Sequence, residues 1–121
     1  MKSLDVQIGG NHYKGCGYQP VKFAVDLNLN FIQGNIVKYA TRYRSKNGKQ
    51  DLQKVIHYAQ LGRDLKPQNN VIFDNRPSKN IDIYVSMNGL NETERKIISG
   101  AVWQCWSIIE HYGNKLIEEY E

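Results

Sequence analysis

The chain has 121 residues, with 16 Lys or Arg against 12 Asp or Glu, a formal charge of +4, and a composition that is 40% hydrophobic and 23% charged. This is the composition of a globular protein with one core, and the length leaves too little for a second, so residues 1–121 read as a single domain. It excludes a bilayer-spanning helix, which needs about 20 consecutive apolar residues, and the start Met1-Lys2-Ser3-Leu4-Asp5 lacks the apolar segment of a signal peptide, so a cytoplasmic location is expected.

Residues 1–19 come first. Within residues 5–19 stand Gly9, Gly10, Gly15 and Gly17, and the stretch follows neither a helical nor a strand period, so it reads as an ordered glycine-rich loop. Glycines let backbone N–H groups approach a ligand closely, and His12, Tyr13 and Lys14 would add donors, a stacking ring and a charge. The loop is not a Walker A motif: Gly10 and Gly15 have the spacing, but Cys16-Gly17 stands where Lys-Ser/Thr is required. Cys16 and Cys105 read as free thiols. Neither has a metal-ligand spacing with His12, His57 or His111, so no metal and no cofactor is assigned.

Residues 20–66 predict three helices. The first, 20–27, is short, with Pro20 in its first turn and Val21, Ala24 and Val25 on one side. Asn28-Leu29-Asn30 breaks it, and Asn30 caps a second helix over 31–45. Asn47-Gly48 supplies a left-handed stop, and a third helix runs over 50–66 to Pro67. His57 projects away from Val55, Tyr58 and Ala59 and reads as a surface residue.

Residues 67–79 are polar and turn-rich, a mobile connection. In residues 80–121, the stretch 81–87 fits a strand by the alternation of Ile81, Ile83, Val85 and Met87, or a helix with Ile81, Tyr84 and Val85 inward. An internal likeness decides for the helix. Residues 22–30 followed by Ile36-Val37 resemble residues 82–91 followed by Ile97-Ile98, with one inserted glycine, and a lone strand would leave both its edges unpaired. A final helix is expected from Glu92, capped by Asn91, to Tyr112 or beyond, with Ile98, Ala101, Val102, Cys105, Ile108, Ile109 and Tyr112 as its core stripe. Trp103 and Trp106 flank the stripe as core or interface residues, with base stacking as the alternative. The expected fold is all-α, about five helices: two short-helix/long-helix units plus a middle helix, behind the ordered glycine-rich loop.

The chemistry concentrates on the second helix. At 100° per residue, Asn35, Lys38 and Arg42 fall within about 60° of one another, beside an apolar face of Ile32, Ile36, Tyr39, Ala40 and Tyr43. An amide, an ammonium and a guanidinium on the rim of a buried stripe suit an anion with a polar ring attached, and a nucleotide is the first candidate. A solvated charged face beside an ordinary core is the alternative. Residues 38–66 hold eight Lys or Arg against Asp51 and Asp64, an excess of six. Duplex nucleic acid is the poorer fit to that patch, because no DNA-reading motif is present and the cations alternate with core residues. Asp51 lies in the first turn of the third helix, where the dipole stabilises a carboxylate; it could also orient a Lys or Arg across the turn, or accept a hydrogen bond from a ligand hydroxyl.

The series His12-Tyr13-Lys14, Pro20, Gly34-Asn35-Ile36-Val37-Lys38-Tyr39, Arg42-Tyr43, Lys46-Asn47-Gly48, Asp51-Leu52, Lys54 and Tyr58 resembles a small, poorly characterised family common in phage genomes. That family includes a coliphage nucleotide kinase lacking a Walker A motif. The likeness covers residues 8–66, and the rest of the chain matches only loosely. It implies a phage-encoded protein that acts in the host cytoplasm during infection, binds a nucleotide or cyclic nucleotide, and forms a homo-oligomer. The nucleotide-binding set it implies, together with the helix face above, is His12, Tyr13, Lys14, Asn35, Lys38, Tyr39, Arg42, Lys46 and Asp51.

Three functions are compatible with these features. In nucleotide phosphoryl transfer, Lys38, Arg42 and Lys14 would neutralise charge on the transferred group. A sponge that sequesters a nucleotide signal of host defence would use the same cations without chemistry. A basic accessory protein binding nucleic acid or another protein is the third. The paired acidic motifs with which helical nucleotide pyrophosphatases hold magnesium are missing from the sequence, so hydrolysis of that type is set aside.

Overall fold

The computed structural model describes residues 17–120, and all regular structure among them is helical. The elements are α1 (Pro20–Leu27), α2 (Phe31–Arg42) continued by a 3-10 turn Tyr43–Ser45, α3 (Lys49–Leu65), α4 (Arg76–Met87), α5 (Glu92–Trp103) and α6 (Trp106–Tyr120). The glycine-rich loop up to residue 16, with His12, Tyr13 and Lys14, lies outside the described residues.

Among the described residues six helices stand where about five were expected, because the last one is two. Gln104 takes up the left-handed conformation (φ 56°), and the N–H groups of Gln104 and Cys105 turn back to the carbonyls of Ala101 (3.3 Å) and Gly100 (2.8 Å). This is the stop that glycine usually supplies, since a side chain there costs about 1–2 kcal/mol. Tertiary bonds of the Gln104 side chain offset the cost: Nε2 donates to the Pro67 carbonyl (2.9 Å) and Oε1 accepts from Asn30 Nδ2 (2.9 Å). The chain reverses, and α6 returns along α3. At that crossing an added Cβ on Gly62 would lie 2.7 Å from the Trp106 ring, so the glycine sets how closely the two helices approach. Trp106 is thereby committed to helix packing, while Trp103 lies against Phe73 with ring centroids 5.4 Å apart.

α1 packs on α4, α2 on α5 and α3 on α6. The described residues therefore form two three-helix units, paired element by element as a two-fold relation would pair them. α2 and α5 run antiparallel: Gln33 at the start of α2 bonds to the carbonyls of Ala101 and Val102 at the end of α5, and Tyr43 beyond the end of α2 bonds to Glu94 at the start of α5.

The internal likeness holds, with a changed register. Asn28 (φ 58°) and Gly89 (φ 61°) occupy the same left-handed position, and Leu29 and Leu90 each return an N–H to the carbonyl five residues back, Ala24 (2.9 Å) and Val85 (3.0 Å). Asn30 with Gln33 and Asn91 with Glu94 then form matching capping boxes. Every one of these pairs is 61 residues apart, so no glycine is inserted.

α1 buries Pro20, Phe23 and Leu27, and the Val21/Val25 side faces outward, with Val25 74% exposed. Both faces of α1 are apolar, and the larger Phe23 and Leu27 take the core. Phe23, Ile36, Leu52, Ile97, Ile98 and Ile109 are all fully buried there. The stretch after α3 is pinned: Val71 is buried, Asn69 donates to the Val102 carbonyl (3.1 Å), and the carbonyls of Gln68 and Asn70 accept from Asn30 and Asn28. α4 begins at Arg76 with Pro77 in its first turn, several residues before the connection was expected to end.

Candidate functional site

Between α1 and α2 opens a groove of about 330 Å³, within the range of small-molecule sites. Val21, Ala24, Leu29, Phe31 and Gly34 give it apolar walls, and Asn30, Asn35 and Lys38 supply polar groups. The helical period accounts for the grouping, since Phe31, Gly34, Asn35 and Lys38 recur at three and four along one side of α2. Phe31, one of its walls, is 75% exposed. The Asn35 amide donates to its own helix at the Phe31 carbonyl (2.8 Å), which fixes its orientation and leaves its Oδ1 as the group to accept.

Next to the groove is a cluster of cations around one ring. Lys38 Nζ lies 4.5 Å, the Arg42 guanidinium 4.7 Å and Lys54 Nζ 4.9 Å from the Tyr39 centroid. Tyr39 also stacks on Tyr58, 6.1 Å away at 19° between planes, and Tyr58 meets Phe31 edge-on at 6.1 Å. Tyr39 was expected on the core face of α2. The structure leaves it half-buried, as a platform that holds three long side chains by cation–π attraction.

Asp51 is fully buried and pairs with Arg42 through two hydrogen bonds, Nε to Oδ2 (3.1 Å) and Nη2 to Oδ1 (3.2 Å). The Asn47 N–H donates to Oδ2 as well (3.4 Å). Asp51 thus orients an arginine across the Asn47-Gly48 turn, one of the roles its position allowed, and its burial closes it to a ligand hydroxyl. The same pairing commits the Arg42 charge inward, with only 14% of the side chain exposed. Lys54 approaches Asp51 at 3.9 Å, and 39% of its side chain is exposed. Lys46 is exposed in the turn that follows and does not line the groove.

Beyond Arg42 one buried carboxylate, Glu94, gathers two donors from the turn. Tyr43 Oη donates to Glu94 Oε2 (2.6 Å), and Arg44 reaches both, with Nε to Tyr43 Oη (3.1 Å) and Nη2 to Glu94 (3.1 Å). Burial pushes the Tyr43 hydroxyl up to about 12, and the carboxylate it donates to adds to the shift. The hydrogen bond to Tyr43 raises Arg44 above its ordinary value. This is a structural lock between the units, remote from the groove lining.

Of the residues singled out in the sequence, Asn35 and Lys38 line the groove, while Tyr39 and Arg42 with Asp51 form the adjoining cluster. Helical spacing did not point to Lys54, because it comes from α3; the signal available was its place one turn after Asp51. Nor did it point to Val21, Leu29 and Phe31 as groove walls.

A family model described as a protein of unknown function (DUF3310) matches residues 9–60, and the chain is similar to that family over a stretch holding the whole groove lining together with Tyr39, Arg42, Asp51 and Lys54. No curated protein and no solved structure matches the chain.

Proposed function

We propose that the protein binds a nucleotide, with the base in the α1/α2 groove and the phosphates at the cations beside Tyr39, and uses it in phosphoryl transfer between nucleotides. The observation that carries this reading is the double place of Lys38, which lines the apolar groove and also belongs to the cluster around Tyr39. A base has a flat face to bury and edges to hydrogen-bond, for which the Oδ1 of Asn35 stands ready, while its phosphates need charge at one end only. The resemblance to a phage nucleotide kinase supports the transfer step, a phage origin and self-association. Sequestration of a nucleotide signal is the same binding without chemistry.

The test is to incubate the purified protein with a nucleotide panel, measure binding by calorimetry, then denature it and separate the released ligands. New phosphorylated species are expected; tight binding with unchanged ligand would make the protein a sponge. Lys38→Ala should weaken binding roughly ten- to a hundred-fold, the worth of a charge-assisted contact, without lowering the melting temperature. Wild-type affinity in that variant would remove the phosphates from this end of the groove.

A further inference from the structure

Building on the nucleotide reading, we propose that Lys54 reads the length of the phosphate chain, and that the ligand class is a nucleoside di- or triphosphate in preference to a monophosphate. Three cations surround Tyr39, and among the described residues Asp51 is the one carboxylate paired with any of them. Arg42 satisfies that carboxylate with two hydrogen bonds of 3.1 and 3.2 Å, and the Asn47 N–H adds a third contact. Lys54 stands at 3.9 Å from it, at the outer limit of pairing. Among the described residues the cluster therefore carries three positive charges against one negative. The surplus resides on Lys38 and Lys54, at 4.5 and 4.9 Å from the same ring centroid.

The two lysines differ in where they stand. Lys38 lines the groove; Lys54, on α3, does not. A chain of phosphates leaving a base in the groove meets Lys38 first and Lys54 second. A single phosphate at the rim contacts Lys38 and does not extend to Lys54, whereas a further phosphate reaches both. With 39% of its side chain exposed, Lys54 can be reached from solvent, whereas the Arg42 charge is turned to Asp51. Lys54 is on this account a specificity residue, and Tyr39 positions it.

The test compares the mono-, di- and triphosphates of adenosine, guanosine and thymidine by calorimetry on the wild type and on Lys54→Gln, Lys54→Arg and Lys38→Gln. The wild type should bind the diphosphate of the preferred nucleoside about tenfold or more tightly than its monophosphate, the worth of one charge-assisted contact. Lys54→Gln should bind the monophosphate as the wild type does and lose the diphosphate advantage, Lys54→Arg should keep it, and Lys38→Gln should weaken every member of the series. Melting temperatures close to the wild type's in the Lys54 variants would show that the change is one of recognition. Equal affinity for mono- and diphosphate in the wild type, or an equal loss for both in Lys54→Gln, would overturn the role of Lys54 while leaving the nucleotide site in place. Absence of binding by all nine nucleotides would remove the site itself and this inference with it.

Discussion

At the start of α2 the buried Gln33 completes a capping box with Asn30, and at the start of α5 the buried Glu94 does the same with Asn91. Beyond that shared step the two side chains meet opposite surroundings. Gln33 reaches the last turn of α5, where carbonyls lack helical partners, and its Nε2 donates to Ala101 (3.1 Å) and Val102 (3.0 Å). Glu94 reaches the 3-10 turn after α2, where Tyr43 Oη and Arg44 donate to it. The end of α5 needed a donor and receives an amide from α2; the turn after α2 offered donors and receives a carboxylate from α5. The difference extends outward: α2 presents Asn35, Lys38 and Tyr39, whereas the corresponding positions of α5 are Lys96, Ser99 and Gly100, which line a groove of their own beside Trp103 and Tyr112. The same corner thus serves as scaffold in both units, and among the described residues the second unit carries no cation cluster equivalent to the one around Tyr39.

Exchanging the two chemistries is the most severe way to break this comparison. Gln33→Glu aims a carboxylate at two carbonyl oxygens in a fully buried place, which is expected to cost about 3–5 kcal/mol, the range for an uncompensated buried charge. Glu94→Gln should cost about 1–2 kcal/mol, since Oε1 can still accept from the Asn91 N–H and the exposed Arg44 can turn to water. Urea unfolding of both variants reads the difference. Equal losses would mean that the two N3 side chains are interchangeable and that the cross-unit bonds do not decide residue identity.

The corners were legible in the sequence because their signals are local: an Asn cap and its Gln or Glu partner lie within four residues, and Pro20 and Pro67 mark their own boundaries. What escaped depends on tertiary contacts. Gln104 is a poor residue for a left-handed stop and holds one through Pro67 and Asn30, which no window around residue 104 contains. The apparent inserted glycine arose from aligning Asn28 with Asn88, although the backbone matches Asn28 to Gly89, and only φ reveals it. For the site, helical spacing placed Asn35 and Lys38 on one side of α2, where the groove lies. It could not show that Arg42 turns inward to Asp51 across a turn, or that Lys54 from another helix reaches Tyr39.

That inward turn separates two residues which spacing alone made equivalent. Arg42→Ala leaves Asp51 buried without its main partner and should cost about 3 kcal/mol, somewhat offset by the Asn47 N–H and by Lys54 moving closer. Lys38→Ala, with no acidic partner among the described residues, should leave stability unchanged within about 0.5 kcal/mol. Thermal melts of the two variants decide it. A stable Arg42→Ala protein would return that guanidinium to the ligand side, and the surplus of charge around Tyr39 would have to be recounted.

The mildest test concerns the shared left-handed position of the two corners. Gly89 has no heavy atom within 4 Å of where a Cβ would be, so a side chain meets no clash and any cost of Gly89→Ala is conformational. The left-handed region costs a non-glycine residue about 1–2 kcal/mol, and the stiffer unfolded chain returns part of it, for a net loss of about 1 kcal/mol, or about 4 °C in melting temperature. Gly89→Asn should recover most of this, because asparagine tolerates the conformation and already occupies it at Asn28. Asn28→Gly relaxes the backbone and loses one exposed bond to the Asn70 carbonyl (3.2 Å), so a change within about 0.5 kcal/mol is expected. Should Gly89→Asn destabilise as much as Gly89→Ala, the two positions are not equivalent, and the gapless register of 61 residues between the units fails at its central point.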